Sequence, residues 1–174
     1  MTVAALVLLS LVAAVGLLLT GLGERHRPLW GAGLLALLLG AAAAVAWVAG
    51  PASEGVAQGA VLAAVLAAVA AGSPVATAVL EAADPLAAGV TGGPSDPQVL
   101  RGGAWIGVLE RAAIAGTLLA DWPEGLAVVL AVKGLGRYNE LRETPAAAER
   151  FILGTLASSL WAAACVGVAV LASS

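Results

Sequence analysis

The sequence predicts an all-α fold, a polytopic transmembrane helical bundle of about six spanning helices. Three observations support this prediction. The 174 residues are 61% hydrophobic and only 11% charged, the mean hydropathy is +1.00, and the apolar residues gather in runs of about 20, the length that crosses a bilayer core. An ordinary soluble domain has about 25% charged residues. This chain is too apolar for a soluble enzyme, a DNA-binding domain or a disordered segment.

The first half of the chain, residues 1–80, contains three plain apolar segments. No basic residue precedes the first of them, which predicts a retained span and not a cleaved signal peptide. A turn at Gly50–Glu54 separates the second segment from the third, and Gly72–Pro74 marks a possible bend or end of the third. The predicted spans of this half are Thr2–Leu22, Leu29–Ala49 and Gly55–Leu80.

The second half begins after a loop, residues 81–103, that is rich in proline, glycine and acidic residues. Residues 104–174 then give three further spans, and here charged residues interrupt the apolar runs. A polar turn at Asp121–Glu124 joins the first two of these spans. The predicted spans are Ala104–Ala120, a segment from Gly125 through Lys133–Arg137 that emerges around Tyr138–Arg142, and Phe151–Ala172.

The distribution of basic residues predicts the orientation. With six spans, all of the basic loop residues fall on one side, and no Lys or Arg falls on the other side, which carries both termini, Gly50–Glu54 and Asp121–Glu124. Basic loops face the cytoplasm. We therefore expect a multi-pass protein of the plasma or inner membrane with both termini outside. The basic residues that decide this are Arg25, Arg27, Arg101, Arg137, Arg142 and Arg150.

Four charged residues fall inside the predicted membrane region or at its inner edge: Glu110, Arg111, Lys133 and Arg137. Counted from the turn at Trp122, Glu110 and Lys133 both lie about 17 Å deep. Unpaired charges at this depth are costly, so we predict that Glu110 pairs with Lys133, or with Arg137 one turn below. Arg111 points about 100° away from Glu110 and needs another partner, or it must extend towards the inner interface.

Small residues recur every four positions on three helices and predict close helix packing. Thr155 and Ser158 lie near the depth of Glu110 and join the predicted polar cluster. With 22 glycines in the chain, such spacings also arise by chance, and packing is the interpretation that we prefer for them. The glycines concerned are Gly55, Gly59, Gly103, Gly107 and Gly154.

The sequence offers little material for catalysis or for binding a metal ion. His26 is the only histidine and Cys165 the only cysteine, which makes a metal site or a disulfide improbable. No nucleophile–base set and no phosphate-binding loop is visible. The net charge of −3 gives no basic field for nucleic acid. We therefore predict no enzyme activity, no cofactor, no metal and no nucleic-acid partner.

Three blocks occur in order in the last seventy residues: Gly103–Arg111, Ala131–Leu141 and Ala148–Ser158. Together they resemble the C-terminal half of a domain-of-unknown-function family of small bacterial and phage membrane proteins. The resemblance covers roughly 102–171, and the N-terminal half departs from the family because it has no His-Leu-x-Gly-Asp-like block. It implies a membrane location and no mechanism. The residues whose importance it implies are Glu110, Arg111, Lys133, Arg137, Glu149, Gly154 and Thr155.

Two functions remain open from the sequence. The first is a channel or transporter for an ion or small solute, with Glu110, Lys133 and Arg137 lining or gating the path. The second is a non-catalytic structural or regulatory membrane module that binds a partner protein, because paired charges in a bundle often only fix packing and register. In either case the lipid bilayer surrounds the chain. The helices of one such small chain are too few to enclose a pore well, so we predict a homo-oligomer.

Overall fold

A computed structural model describes residues 2–21, 29–83, 103–143 and 145–174, and almost all of them are helical. The predicted all-α bundle is confirmed, and the described residues contain no β-strand. A short additional helix, α6, follows the fifth predicted segment. The helices are α1 (Thr2–Gly21), α2 (Leu29–Ala49), α3 (Glu54–Ala83), α4 (Gly103–Leu119), α5 (Glu124–Gly136), α6 (Tyr138–Glu143) and α7 (Pro145–Ser173).

Four of these helices are long and apolar enough to cross a membrane: α1, α2, α3 and the part of α7 from Ala148 to Ser173. Helices α4 and α5 are shorter, with 17 and 13 residues. The predicted fifth segment breaks at Arg137, whose backbone N–H donates to the Gly134 carbonyl, and the chain continues as α6. Within the predicted loop 81–103, Glu81–Ala83 still belongs to α3 and Gly103 begins α4, whereas 84–102 lie outside the described residues.

The contacts between helices define two ends of the bundle. Leu6 of α1 lies against Gly59 and Gly16 against Ala71, so α1 and α3 run in the same direction. The Ala52 N–H, between α2 and α3, donates to the carbonyl of Ala172 near the end of α7. The start of α1, the 50–53 turn and the end of α7 therefore share one end, which we call the termini end. The opposite end carries the end of α3, helix α6 and the start of α7, and we call it the basic end.

The core is built from small side chains, as helices that associate in lipid require. A stripe of buried alanines on α3, including Ala64, Ala67 and Ala71, faces α1 and α7. A β-carbon on Gly16 would lie 2.6 Å from the Ala71 β-carbon and 2.7 Å from its Cα, so the absence of a side chain at Gly16 lets α1 and α3 touch. Gly55, in contrast, is exposed and has no neighbour within 4 Å. It does not make the predicted packing contact because it lies in the first turn of α3.

Helix α3 continues through Pro74 without ending there. Pro74 is buried, and its ring removes the backbone hydrogen bond that would otherwise reach the carbonyl of Ala70. Neighbouring helices compensate for such a break in membrane bundles. Elsewhere on α3, the Ala67 carbonyl accepts a hydrogen bond from Nε1 of the buried Trp161 of α7 at 3.2 Å.

Candidate functional site: a charged cavity between α4, α5 and α7

A tight turn brings α5 back along α4 and sets the two helices in register. The Trp122 N–H donates to the Thr117 carbonyl at 2.9 Å, and Asp121 adopts a left-handed backbone conformation with φ 55°, which aspartate tolerates better than most residues. Gly125 is buried beneath this turn, where a β-carbon would lie 2.5 Å from Thr117 and 2.7 Å from the Trp122 ring. The polar turn predicted at Asp121–Glu124 is therefore present.

The predicted pair of opposite charges is confirmed. Lys133 Nζ of α5 forms a salt bridge and a hydrogen bond with Glu110 Oε2 of α4, and the two side chains are 21% and 14% exposed. The ammonium group also lies 5.7 Å from the centre of the Phe151 ring on α7, within the range of a cation–π interaction. Lys133 thus links all three helices around the cavity.

Arg111 lies on a different side of α4 and is 3% exposed. Its Nε donates to the Val69 carbonyl of α3 at 3.2 Å, and its Nη1 donates to Ser158 Oγ of α7 at 3.3 Å. The sequence left two alternatives open for Arg111, namely another partner or an extension towards the inner interface. The structure shows the first of these. Arg111 forms no ion pair with any of the described residues, so its guanidinium joins three helices by hydrogen bonds alone.

Two glycines make room for this buried guanidinium. A β-carbon on Gly72 would lie 2.2 Å from Arg111 Cδ, and one on Gly107 would lie 3.1 Å from Nη1. The carbonyl that accepts from Nε belongs to Val69, three residues before Gly72 on α3. The segment of α3 around Gly72 therefore leaves room for a side chain from α4.

The three helices α4, α5 and α7 enclose a cavity of about 770 Å³, within the size range of small-ligand sites. Its lining carries one acidic side chain, Glu110, and three basic ones, so the formal charge of the described lining is positive. Thr155 of α7 adds a hydroxyl, and aliphatic residues of α4 and α5 form the rest. Among the described helices, α5 is extensively packed only against α4. The residues that define the cavity chemically are Glu110, Lys133, Arg137, Arg150, Phe151 and Thr155.

The structure divides the predicted polar cluster into two groups. Glu110, Lys133, Arg137 and Thr155 line the cavity, whereas Arg111, about 100° around α4 from Glu110, bonds to Ser158 and does not line it. Glu149 belongs to neither group. It is exposed on α7 and does not line the cavity, because one residue along a helix turns a side chain by about 100° and Arg150 is the neighbour that points inward.

The predicted packing glycines also differ in their surroundings. A β-carbon on Gly154 would lie 3.4 Å from Leu80, an ordinary van der Waals contact, whereas one on Gly59 would lie slightly too close to Leu6, at 3.3 Å. The surroundings of Gly103 lie outside what the structure describes. Sequence reasoning missed Gly72, Phe151 and Arg150 as parts of the site. Arg150 had a detectable signal, since it lies one turn from Gly154 on the side of α7 that carries Thr155 and Ser158.

Comparisons with protein-family models, with curated proteins and with solved structures gave no match to this chain. The family resemblance of residues 102–171 therefore stays a prediction. The functional argument rests on the geometry of the cavity.

Proposed function

We propose that this integral membrane protein is a transporter for a small anionic solute and that the cavity between α4, α5 and α7 is its binding site. The observation that carries this proposal is the cavity lining, which brings the half-buried Glu110–Lys133 ion pair together with two further basic side chains, Arg137 and Arg150. Charges at such depth are costly and usually serve a ligand or ion path. A positive lining selects an anion by charge complementarity.

The arrangement of the helices supports a transporter more than an open channel. Ile114 of α4, one turn from Glu110 towards the termini end, is buried. Trp161 of α7 is also buried and hydrogen-bonds to α3, so these two helices are in close contact there. A second cavity, of about 690 Å³, lies between α2, α7 and the tip of α4, and only apolar residues line it. The described residues of one chain thus give no polar route from the charged cavity to the termini end. Our proposal is that movement of α5, or a second copy of the chain in a homo-oligomer, completes the path.

The proposed orientation places the basic end in the cytoplasm. Arg137, Arg142 and Arg150 all lie towards that end, whereas the described residues of the termini end carry only acidic charges, Glu54 among them. The positive-inside rule then places both termini outside the cell membrane. In this orientation the cavity takes its solute from the cytoplasmic side.

Flux measurements in proteoliposomes test the transport proposal. Purified protein is reconstituted and the efflux of chloride, phosphate and small carboxylates is measured against protein-free vesicles. We expect wild-type flux of at least one anion and its reduction in Arg150→Gln. Arg142→Gln is the matched control, because Arg142 is exposed on α6, stacks 6.0 Å from the Tyr138 ring and does not line the cavity. Flux equal to that of empty vesicles for every anion would refute transport.

A second candidate is the structural or regulatory module that binds a partner protein. The observation in its favour is that Glu110 and Lys133 satisfy each other and hold α5 against α4. If this were their whole purpose, Lys133→Ala would destabilise the fold by leaving Glu110 unpaired, and the Glu110→Ala/Lys133→Ala double variant would restore stability. Restored stability without any flux in the wild-type protein would favour this candidate.

A further inference from the structure

We infer that Glu110 carries a proton across the membrane together with the anion, so that the protein is a proton-coupled anion symporter. This inference rests on the proposed transport function of the cavity and names the ion that drives it. It depends on the ion pair between Glu110 and Lys133 and on the net charge of this pair in each state of the transport cycle.

The Glu110–Lys133 pair is accessible from the cavity and has no substitute there. The two side chains are 14% and 21% exposed, and both line the cavity, so solution that enters the cavity reaches the carboxylate. Glu110 is the only acidic residue of the described lining. The other basic residues of the lining, Arg137 and Arg150, have interaction partners of their own. An anion that binds Lys133 therefore deprives Glu110 of its cation.

The other charged groups near Glu110 do not compensate for this loss. On α4 itself, Arg111 is held by hydrogen bonds to Val69 of α3 and Ser158 of α7, and its charge is the same in every state of the cycle. Helices α3, α5 and α7 have four further acidic residues within their bounds, and all of them lie outside the lining: Glu54, Glu81, Glu124 and Glu149.

Charge balance distinguishes the loaded states of the cavity. With nothing bound, Glu110 and Lys133 neutralise each other. An anion alone on Lys133 leaves one negative charge unpaired, and a proton alone on Glu110 leaves Lys133 unpaired. An anion and a proton together restore neutrality. A carboxylate that loses its cationic partner away from bulk water favours its neutral form, so binding of the anion and uptake of the proton support each other.

The apolar surroundings on the side of the termini end make this balance decisive. Ile114, one turn from Glu110 towards that end, is buried, and the cavity beyond it is lined only by apolar residues. Unpaired charges are costly in such surroundings. The empty and the doubly loaded states therefore cross, whereas the two singly loaded states do not.

Each cycle moves one anion and one proton in the same direction without net charge. The anion displaces the Glu110 carboxylate from Lys133 Nζ, and a proton from the solution on that side binds the carboxylate. Both ions leave on the other side, where Glu110 releases its proton and the ion pair forms again. The neutral pair then returns unloaded.

Transport into proteoliposomes that contain the pH-sensitive dye pyranine tests this inference. Chloride, phosphate and lactate are each added outside, and potassium with valinomycin holds the membrane potential at zero. We expect uptake of the transported anion to acidify the vesicle interior. An acidic outer solution should accumulate a monovalent anion about tenfold for each unit of pH difference, the ratio that one proton per anion supports. Protein-free vesicles give the baseline.

Three variants assign the proton to Glu110. Glu110→Gln replaces the neutral carboxyl by an amide, so it should still exchange labelled for unlabelled anion but lose net uptake and acidification, since its empty site leaves Lys133 unpaired. Glu110→Asp keeps a carboxyl group and should keep acidification. Glu149→Gln is the matched control, because Glu149 is exposed and lies outside the cavity. If Glu110→Gln does not fold, as far-UV circular dichroism would show, the wild-type accumulation ratio alone decides the coupling.

The opposing results separate the coupling from the transport proposal. Anion flux without acidification, or accumulation that does not follow the pH difference, overturns the inference and leaves transport standing. Acidification that persists in Glu110→Gln, or an equal loss in Glu149→Gln, overturns the assignment to Glu110. No wild-type flux of any of these anions refutes the transport proposal itself, and the coupling with it.

Discussion

Replacing Gly72 by alanine tests whether the buried guanidinium of Arg111 depends on the missing side chain beside it. The new β-carbon would lie 2.2 Å from Arg111 Cδ and 2.7 Å from Nε. Cδ is not a free end, because the guanidinium beyond it is held by the Val69 carbonyl and by Ser158. The variant must therefore either strain the contact or give up the bond to Val69.

The magnitude follows from the smaller of these two costs. Overpacking by one methyl group costs about 1–3 kcal/mol, and a hydrogen bond to a charged group contributes about 1.5–3 kcal/mol. The better helix propensity of alanine offsets up to about 1 kcal/mol. We expect Gly72→Ala to lower the free energy of unfolding by about 1–2 kcal/mol, a 5- to 30-fold change in the folded-to-unfolded ratio.

The assay is unfolding by SDS titration in mixed micelles, followed by far-UV circular dichroism. Gly33→Ala is the matched control, because Gly33 is an exposed position inside α2 with no neighbour within 4 Å. It should match wild type or be slightly more stable. The reasoning is refuted if Gly72→Ala is as stable as Gly33→Ala. It is also refuted if Gly72→Ala costs the same in an Arg111→Ala background, where the clashing Cδ and Nε atoms are absent.

Two further substitutions examine the core by the same assay. Trp161→Phe removes the indole donor to the buried Ala67 carbonyl and should lower the free energy of unfolding by about 1 kcal/mol; no change would mean that this bond contributes nothing to stability. Gly16→Ala should cost more than Gly72→Ala, because its β-carbon meets the Ala71 backbone at 2.7–2.8 Å and helices α1 and α3 must separate; a cost no larger than that of the control Gly33→Ala would contradict the close contact.

The helices and the pairing of Glu110 with Lys133 were predictable because both depend on local information. Apart from the short, polar α6, each helix contains an apolar run bounded by glycine, proline or charged residues, and most observed helix ends differ from the predicted ones by a few residues. The pair followed from counting equal distances from one turn, since two antiparallel helices joined by a tight turn keep their register.

The partners of Arg111 could not be predicted, because nothing in the sequence identifies a backbone carbonyl as an acceptor. Val69 precedes Arg111 by 42 residues and Ser158 follows it by 47, so both contacts depend on how helices from different parts of the chain assemble. Pro74 was visible as a possible end of α3. In the structure the helix continues through Pro74 to Ala83, and the nearby Gly72 leaves room for Arg111 of α4.

The contacts of the glycines likewise divide into those that the sequence predicted and those that it did not. Regular spacing singled out Gly55 and Gly59, but only Gly59 lies against another helix in this chain. Two glycines with very close contacts between helices, Gly16 and Gly72, belong to no four-residue repeat that the sequence analysis used. Two helices approach each other most closely where their axes cross. The spacing of small residues along one helix does not predict where that crossing lies.

Glu110 and Arg111 are adjacent on α4 but connect it to different helices, and this difference matters for the proposed transport. Arg111 fastens α4 to α3 and α7 through hydrogen bonds on the buried side, whereas Glu110 holds only α5, through Lys133. Under the transport proposal, an anion that enters the cavity would offer Lys133 a second anionic partner and compete with Glu110 for it. A ligand shifts a conformational equilibrium only by its differential affinity for the two states. The exchange of partners at Lys133 would supply that difference and would direct the proposed movement to α5, which among the described helices is extensively packed only against α4.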